Sequence, residues 1–142
     1  MGCSPQAAAP APPARSSAGL EQVPLTITSS GRAHRFTVEV ARSPQEQSQG
    51  LMFRQSVAPD RGMIFPYEPP QPVGFWMKNT LIPLDMIFIR EDGTIANIAV
   101  NTVPLSLDVV PSAEPVAAVL EIAGGRSAEL GIKAGDTVDW QH

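Results

Sequence analysis

The sequence predicts a mostly β domain of the α+β class, folded as a small antiparallel sheet that resembles a partly open β-barrel. Two observations favour this class. Short apolar runs alternate with polar residues at the period of two that β-strands impose, and turns rich in glycine and proline separate these runs. Only one stretch carries strong signals for a helix start. We therefore expect about seven short strands and one short N-terminal helix, as in many small barrels.

The N-terminal part of the chain is predicted to be a disordered tether. Residues 1–22 contain a stretch, 3–19, that is almost entirely Ala, Pro, Ser and Gly. Such a composition buries too little apolar surface to offset the entropy lost on ordering. Residues 23–142 remain for a single globular domain, and a chain of this length can bury a core without disulfides or a structural metal.

Cys3 is a candidate lipidation site. The tripeptide Gly2-Cys3-Ser4 resembles the processing junction of bacterial lipoproteins, in which the cysteine becomes the lipidated N-terminus. The alternative is that Cys3 is an unmodified residue of a disordered tail. No apolar run approaches the ~20 residues needed to span a bilayer. We therefore expect a cell-envelope protein that is anchored on the periplasmic or extracytoplasmic face and does not span the membrane.

Charge and residue usage exclude several kinds of partner. The net charge is −4 and no run of Lys or Arg occurs, whereas nucleic-acid binders usually display a basic stripe, so we expect no nucleic-acid partner. Cys3 is the only cysteine, and the two histidines stand far apart at positions 34 and 142. We expect no metal site and no cofactor. The methionines of the domain are interpreted as core residues rather than copper ligands.

The domain begins with a hairpin and a helix. Alternating apolar residues predict two paired strands joined by a turn at residues 29–32: Leu25 and Ile27 in the first, then Phe36, Val38 and Val40 in the second. The sequence Ser43-Pro44-Gln45-Glu46 combines a capping box with proline at the first helical position, which predicts a helix from Pro44 to about Met52. Residues 62–65 read as a short buried strand that ends at Pro66.

Residues 73–100 are predicted to form a central three-stranded meander. The strand from Val73 to Lys78 would pair with the strand from Asp85 to Arg90, and a turn at Gly93 would lead into the third strand. This register places Phe75 opposite Phe88 and Met77 opposite Met86 on one face. The other face would then carry Trp76 beside Ile87, Lys78 beside Asp85, and Asn97 beside Ile87.

The C-terminal part predicts three further elements. Residues 117–122 form a strand, and residues 127–130 form one helical turn that ends at Gly131, which suits a left-handed cap. Residues 137–140 form the last strand. Within the first of these strands, Glu121 stands in an apolar run, so we expect its carboxylate to bond to the backbone or to an arginine.

Several separated motifs resemble those of a known family. They are Gly50 to Arg54, Gly62 to Phe65, Phe75 to Thr80, Ile82 to Asp85, Val119 to Glu121, and the pairs Gly131-Ile132 and Gly135-Asp136. With these motifs in this order, nearly the whole domain resembles the domain of unknown function 192 family of bacterial and archaeal proteins. The resemblance implies a shared fold and an envelope-associated setting, and it implies no established reaction.

The polar face of the predicted meander is the candidate ligand site. Trp76 could stack on a flat ligand or belong to the core, and Lys78 with Asp85 could form either a reactive pair or a structural ion pair. The full set of candidate ligand-binding residues is Trp76, Lys78, Asn79, Asp85 and Asn97, with Arg54 and Arg61 as a cationic rim. Asn79 could instead be a turn former, and the two arginines could be solvated.

These residues support two functions of different class. The leading hypothesis is a non-catalytic, lipid-anchored domain that binds a small polar ligand, glycan or peptide. The alternative is a hydrolase or lyase in which Lys78 and Asp85 form an acid–base pair, which requires a Lys78 pKa well below ~10.4. The sequence contains no Gly-x-Ser-x-Gly elbow and no phosphate-binding glycine loop. The sequence leaves the oligomeric state open.

Overall fold

A computed structural model describes residues 15–141. Within this part of the chain it contains nine strands and two short helices. In chain order these are β1 (Gln22–Ser29), β2 (Arg32–Val40), α1 (Pro44–Gln49), β3 (Arg61–Gln71), β4 (Gly74–Phe75), β5 (Leu84–Ile89), β6 (Ile95–Ala99), β7 (Val110–Pro111), β8 (Val116–Ala123), α2 (Arg126–Leu130) and β9 (Thr137–Trp140).

Seven of the strands form one sheet that curls until its two edges meet. The strand order is β6-β5-β8-β3-β2-β1-β9, and neighbouring strands are antiparallel except for the parallel pair β2 and β3. At the edges, the Ile95 N–H donates to the Asp136 carbonyl and the Val138 N–H donates to the Gly93 carbonyl, both at 2.8 Å. The sheet is therefore closed over a short length only, which confirms the mostly β class and the curled, partly open sheet. The expectation of an antiparallel sheet is wrong for β2 and β3, which run parallel.

The two faces of the curled sheet bury separate apolar cores. The inner core takes residues from all seven strands of the sheet, among them Ile64, Ile87 and Leu120. The second core lies on the opposite face of the central strands, where Met63, Met86, Phe65, Phe88 and Val119 are covered by side chains from the connecting segments. We call these covering segments, residues 41–57, 73–83 and 100–115, the outer layer.

The first two elements form as predicted, although the helix is shorter. In the β1–β2 hairpin Leu25 pairs with Phe36, and the turn residues Ser30 and Gly31 have φ values of 50° and 77°. The capping box at the start of α1 is present. The helix ends at Gln49 rather than near Met52, because Gly50 leaves helical geometry with φ 48° and ψ −128°.

The strand predicted for residues 62–65 extends further in both directions. It continues past Pro66 as β3, and Pro66 pairs with Ala118 of β8. The parallel partner β2 pairs with β3 only as far as Ile64. Pro66 lies beyond the end of this pairing, so its missing N–H breaks no hydrogen bond between β2 and β3.

The predicted three-stranded meander is wrong in its first strand. Only Gly74 and Phe75 form a strand there, and they pair with β7 instead of β5. Strand β5 already has two neighbours, β6 and β8, so it has no free edge for residues 73–78. That segment crosses the outer face instead. Phe75 still reaches Phe88, with ring centroids 6.5 Å apart, because both side chains enter the same core.

The β5–β6 hairpin forms around Gly93, which has a φ of 89°, but its register differs by one residue from the prediction. Phe88 pairs with Asn97 and Ile87 with Ile98, because a bulge at Ala96 separates these pairs from Ile89 and Ile95. The prediction that Asn97 lies beside Ile87 is therefore wrong. A single extra residue in one strand exchanges the faces of everything that follows it.

The last two elements form as predicted. The helical turn α2 ends at Gly131 with φ 73°, and β9 occupies the predicted residues. Within residues 15–22, part of the predicted tether, Arg15 bridges to Glu21, and the Ser16 hydroxyl donates to Glu39 of β2 at 2.6 Å. Cys3 and His142 lie outside the described residues. No helix within residues 15–141 is long and apolar enough to cross a bilayer.

Candidate functional site

A cavity of about 360 Å³ opens between α1, the segment that follows it, and β4. It lies over the second core, on the outer face of the central strands. Its volume falls in the ~300–1,000 Å³ range of small-molecule sites. The residues that line it are both aromatic and polar, and include Gln47, Tyr67, Phe75, Trp76, Thr80 and Glu121.

Glu121 is the most buried ionisable group of this cavity. It lies on the central strand β8, between Met63 of β3 and Met86 of β5, and its exposed fraction is 4%. No hydrogen bond from another group within residues 15–141 reaches its carboxyl group, whose oxygens face the cavity. Burial raises the pKa of Glu121 to about 8, so the carboxyl group is mostly protonated at neutral pH. In that state it can both donate and accept a hydrogen bond.

Two residues beside Glu121, Tyr67 and Gly62, are affected by its burial and by its close packing. Burial, and then the charge of Glu121, raise the pKa of Tyr67 to about 12, so the phenol keeps its proton. Gly62 lies against the backbone carbonyl of Glu121, so closely that a Cβ atom at residue 62 would overlap the carbonyl oxygen. Only glycine allows β3 and β8 to approach in this way.

Trp76 forms the rim between this cavity and a shallower groove. Its side chain is 46% exposed, and the Lys78 ammonium lies 5.2 Å from the centroid of its ring. This distance allows a cation–π interaction. The groove on the far side of Trp76 is lined by Met52, Phe53, Lys78 and Asn79. The indole therefore offers a flat surface with a cation beside it.

The backbone at the rim is strained. Phe53 and Asn79 have φ values of 67° and 55°, in the left-handed region that residues other than glycine seldom adopt. The Phe53 N–H donates to the Asn79 carbonyl at 2.8 Å, which joins the two strained residues across the groove. For a bulky aromatic residue such a conformation is unusual, and strain of this kind clusters at binding sites.

Comparison with known families identifies the chain. The family model DUF192, described as "Uncharacterized ACR", matches residues 25–140. The chain belongs to the DUF192 family. This confirms the resemblance derived from the sequence motifs.

Two solved structures are similar to this DUF192 domain. A protein of unknown function from Novosphingobium aromaticivorans is 48% identical with a TM-score of 0.89, and the match covers 98% of this chain and 100% of that one. A protein from Sinorhizobium meliloti, described as "a putative transcription regulator", is 46% identical with a TM-score of 0.83, and the match covers 85% and 95% of the two chains. No curated protein matches the sequence.

Asp85 is a structural residue of the DUF192 domain rather than a partner of Lys78. It is fully buried, and its Oδ1 accepts hydrogen bonds from the Asn101 and Gly125 N–H groups at 2.9 and 3.0 Å. Its Oδ2 accepts from the N–H and the hydroxyl of Ser127. The predicted ion pair between Lys78 and Asp85 is wrong, because β5 does not pair with the segment that carries Lys78.

The other predicted site residues divide into two groups. Asn79 lies in the groove beside Trp76 and Lys78, so these three candidates come together. Asn97 lies elsewhere, where its side chain accepts a hydrogen bond from the Ala113 N–H at 3.1 Å. Arg54 forms a two-bond ion pair with Glu39 at 2.7 and 3.2 Å, and Arg61 lies 3.7 Å from Asp60. Neither arginine lines the Trp76 cavity or groove.

Glu121 and Tyr67 are the site residues that the sequence reasoning missed. The signal for Glu121 was present, because a glutamate inside the apolar run of a central strand is unusual. We expected its carboxylate to bond to the backbone or to an arginine, and the described chain supplies neither. In that part of the chain no cluster of three or more His, Cys, Asp or Glu residues is arranged to bind a metal ion.

Proposed function

We propose that this DUF192 domain is a non-catalytic cell-envelope protein that binds a small polar ligand, a glycan or a peptide in the cavity between Trp76 and Glu121. The observation that carries the proposal is the Glu121 carboxyl group. It is buried, it faces the cavity, and it has no hydrogen-bonding partner among residues 15–141. A polar ligand that enters the cavity can supply the hydrogen bonds that this carboxyl group otherwise makes only to solvent.

The chemistry of the cavity favours a neutral polar ligand. Trp76 supplies an exposed ring face on which a sugar ring or a planar group can stack. Glu121, mostly protonated at neutral pH, supplies both a donor and an acceptor at the inner end. Lys78 lies on the groove side of Trp76 and adds a cation for a polar or anionic substituent at that end. A ligand that spans both sides of the indole would use all three groups.

Ligand screening by thermal shift tests this proposal. Soluble glycans and short peptides are screened against the wild-type protein for an increase in melting temperature. We expect Trp76→Ala and Glu121→Gln each to reduce the shift given by any ligand found, with Arg54→Gln as the control outside the cavity. A ligand that shifts the wild type and both cavity variants equally would place the binding site elsewhere.

The proposed location rests on the sequence around Cys3 and has its own test. If Cys3 carries lipid, the protein expressed with a bacterial secretion signal partitions into the membrane fraction, and Cys3→Ser releases it. Intact-mass measurement would show the added acyl mass. Recovery of unmodified wild-type protein in the soluble fraction would contradict the anchor and leave the ligand site unaffected.

Two other functions receive no support from the site. A hydrolase or lyase that uses Lys78 with Asp85 lacks its reactive pair, because both oxygens of Asp85 bind groups of the fold. The label of transcription regulator belongs to the Sinorhizobium meliloti protein. The net charge of −4 and the absence of a basic run in this chain do not favour contact with nucleic acid.

A further inference from the structure

The large apolar side chains that are exposed in this protein are concentrated in one region. Among residues 15–141, all of those with substantial exposure belong to three segments of the outer layer, and their exposed fractions run from 46% to 68%. They are Phe53, Trp76, Leu81, Val100, Val103, Leu105, Leu107 and Val109. Single exposed apolar residues are ordinary, but a concentrated group marks an interaction surface.

Backbone hydrogen bonds hold the three segments together as one surface. The Phe53 N–H donates to the Asn79 carbonyl, the Leu105 N–H donates to the Thr80 carbonyl at 3.0 Å, and the Met77 N–H donates to the Ser106 carbonyl at 2.9 Å. We call this region, residues 53, 76–81 and 100–109, the apolar loop surface. Its side chains are exposed although its backbone is fixed, so the exposure is a feature of the fold.

The start of the described chain is connected to this surface through two polar contacts. Ser16 donates to Glu39, and Glu39 is the ion-pair partner of Arg54, the residue after Phe53. Cys3 precedes Arg15 by twelve residues, which can span at most ~42 Å. A lipid on Cys3 would therefore keep Arg15 within about that distance of a bilayer, with the apolar loop surface on the same small domain. This step rests on the anchor proposed above.

The apolar loop surface carries little net charge, which favours contact with a bilayer. Within residues 73–89 and 95–113 the exposed ionisable groups are Lys78 and Asp108, so the surface is close to neutral. Trp76 with the Lys78 ammonium beside its ring is the kind of amphipathic pair that prefers the interface between lipid and water. We propose that the apolar loop surface docks on the lipid bilayer, with its aliphatic side chains inserted below the headgroups.

Vesicle flotation of unlipidated protein tests the surface independently of the anchor. The full chain carrying Cys3→Ser is mixed with vesicles of phosphatidylethanolamine and phosphatidylglycerol, and the fraction that floats with lipid is measured. We expect binding, with a blue shift of tryptophan emission, and a partition coefficient at least tenfold lower for Val103→Asp with Leu107→Asp. Because binding is apolar, we expect less than about a twofold change between 0.1 and 1 M salt.

The matched control adds two negative charges outside the surface. Ala33→Asp with Ala134→Asp alters two exposed positions outside the apolar loop surface, one near the start of β2 and one in the turn before β9, and we expect wild-type partition. Equal loss in both double variants would mean that charge alone governs binding and would overturn the proposal. So would the absence of flotation by the parent chain, including the case in which it self-associates through the same residues. A failed lipidation test at Cys3 with intact vesicle binding would remove the anchor only.

Discussion

Replacement of Glu121 by glutamine is expected to abolish a specific pH dependence of stability. Burial raises the pKa of Glu121 from 4.5 to about 8 in the folded protein. The folded state therefore binds a proton more tightly than the unfolded state between these values, and stability falls as the pH rises from about 4.5 towards 8. Below that window the carboxyl group is protonated in both states. Above it, the folded protein contains a buried charge.

The size of this change in the free energy of unfolding follows from the raised pKa of Glu121. A difference of roughly 3.5 pKa units corresponds to about 5 kcal/mol at full ionisation, and water in the cavity would reduce it to about 3–5 kcal/mol. A glutamine side chain has nearly the same shape as that of glutamate and is uncharged throughout this pH range. We expect Glu121→Gln to match the wild type near pH 5 and to exceed its free energy of unfolding by that amount near pH 9.

Urea denaturation at a series of pH values between about 4.5 and 9 measures this difference. Glu39→Gln provides a control, because Glu39 is also buried but is paired with Arg54 and Ser16. That variant should lose stability and keep the pH dependence that Glu121 causes. Parallel stability curves for the wild type and Glu121→Gln would refute the assignment of a raised pKa to this carboxyl group.

Three further substitutions test the structure around the site. Asp85→Asn replaces an acceptor of four hydrogen bonds by a group that also donates, and should lower the free energy of unfolding by about 3 kcal/mol; a loss below about 1 kcal/mol would contradict its structural role. Gly62→Ala should lower it by about 2 kcal/mol because the added methyl group meets the Glu121 carbonyl, and unchanged denaturation would show that the strands can separate. Phe53→Gly should raise the melting temperature by relieving about 1 kcal/mol of backbone strain, whereas a lower value would show that packing outweighs strain.

The features that the sequence predicted well depend on neighbouring residues. The β1–β2 hairpin follows from alternation on each side of a short turn, and the start of α1 follows from Ser43 and Glu46, which bond to each other's backbone. The same holds for the left-handed turns at Gly93 and Gly131. In each case the decisive interaction spans only a few residues, so the local sequence contains the whole cause.

The features that failed depend on competition between distant segments. Alternation in residues 73–78 indicates which side chains share a face, but it cannot say which strand lies alongside. Strand β8, which follows β5 by some 30 residues in the chain, occupies the edge of β5 that the prediction gave to residues 73–78. The bulge at Ala96 then altered the register of β6, and with it the side on which Asn97 lies.

Only the part of the candidate site that is formed by residues close in sequence was predictable. Trp76, Lys78 and Asn79 are close in sequence, so their proximity in the groove needed no knowledge of the fold. Glu121 lies more than 40 residues away, and its role depends on how α1 and β4 cover the central strands and leave a cavity above it. A sequence shows that such a glutamate is unusual, but not whether its neighbours fill the space around it.

The order of strands along the chain has a consequence for biosynthesis. Strand β9 follows all other strands of the sheet, and it covers the free edge of β1 and contributes Val138 and Trp140 to the inner core. Until residues 137–140 have been synthesised, β1 presents unpaired backbone groups to its surroundings. An exposed strand edge pairs readily with other chains. A nascent or C-terminally truncated chain is therefore prone to aggregate through β1, and the arrival of β9 removes that hazard.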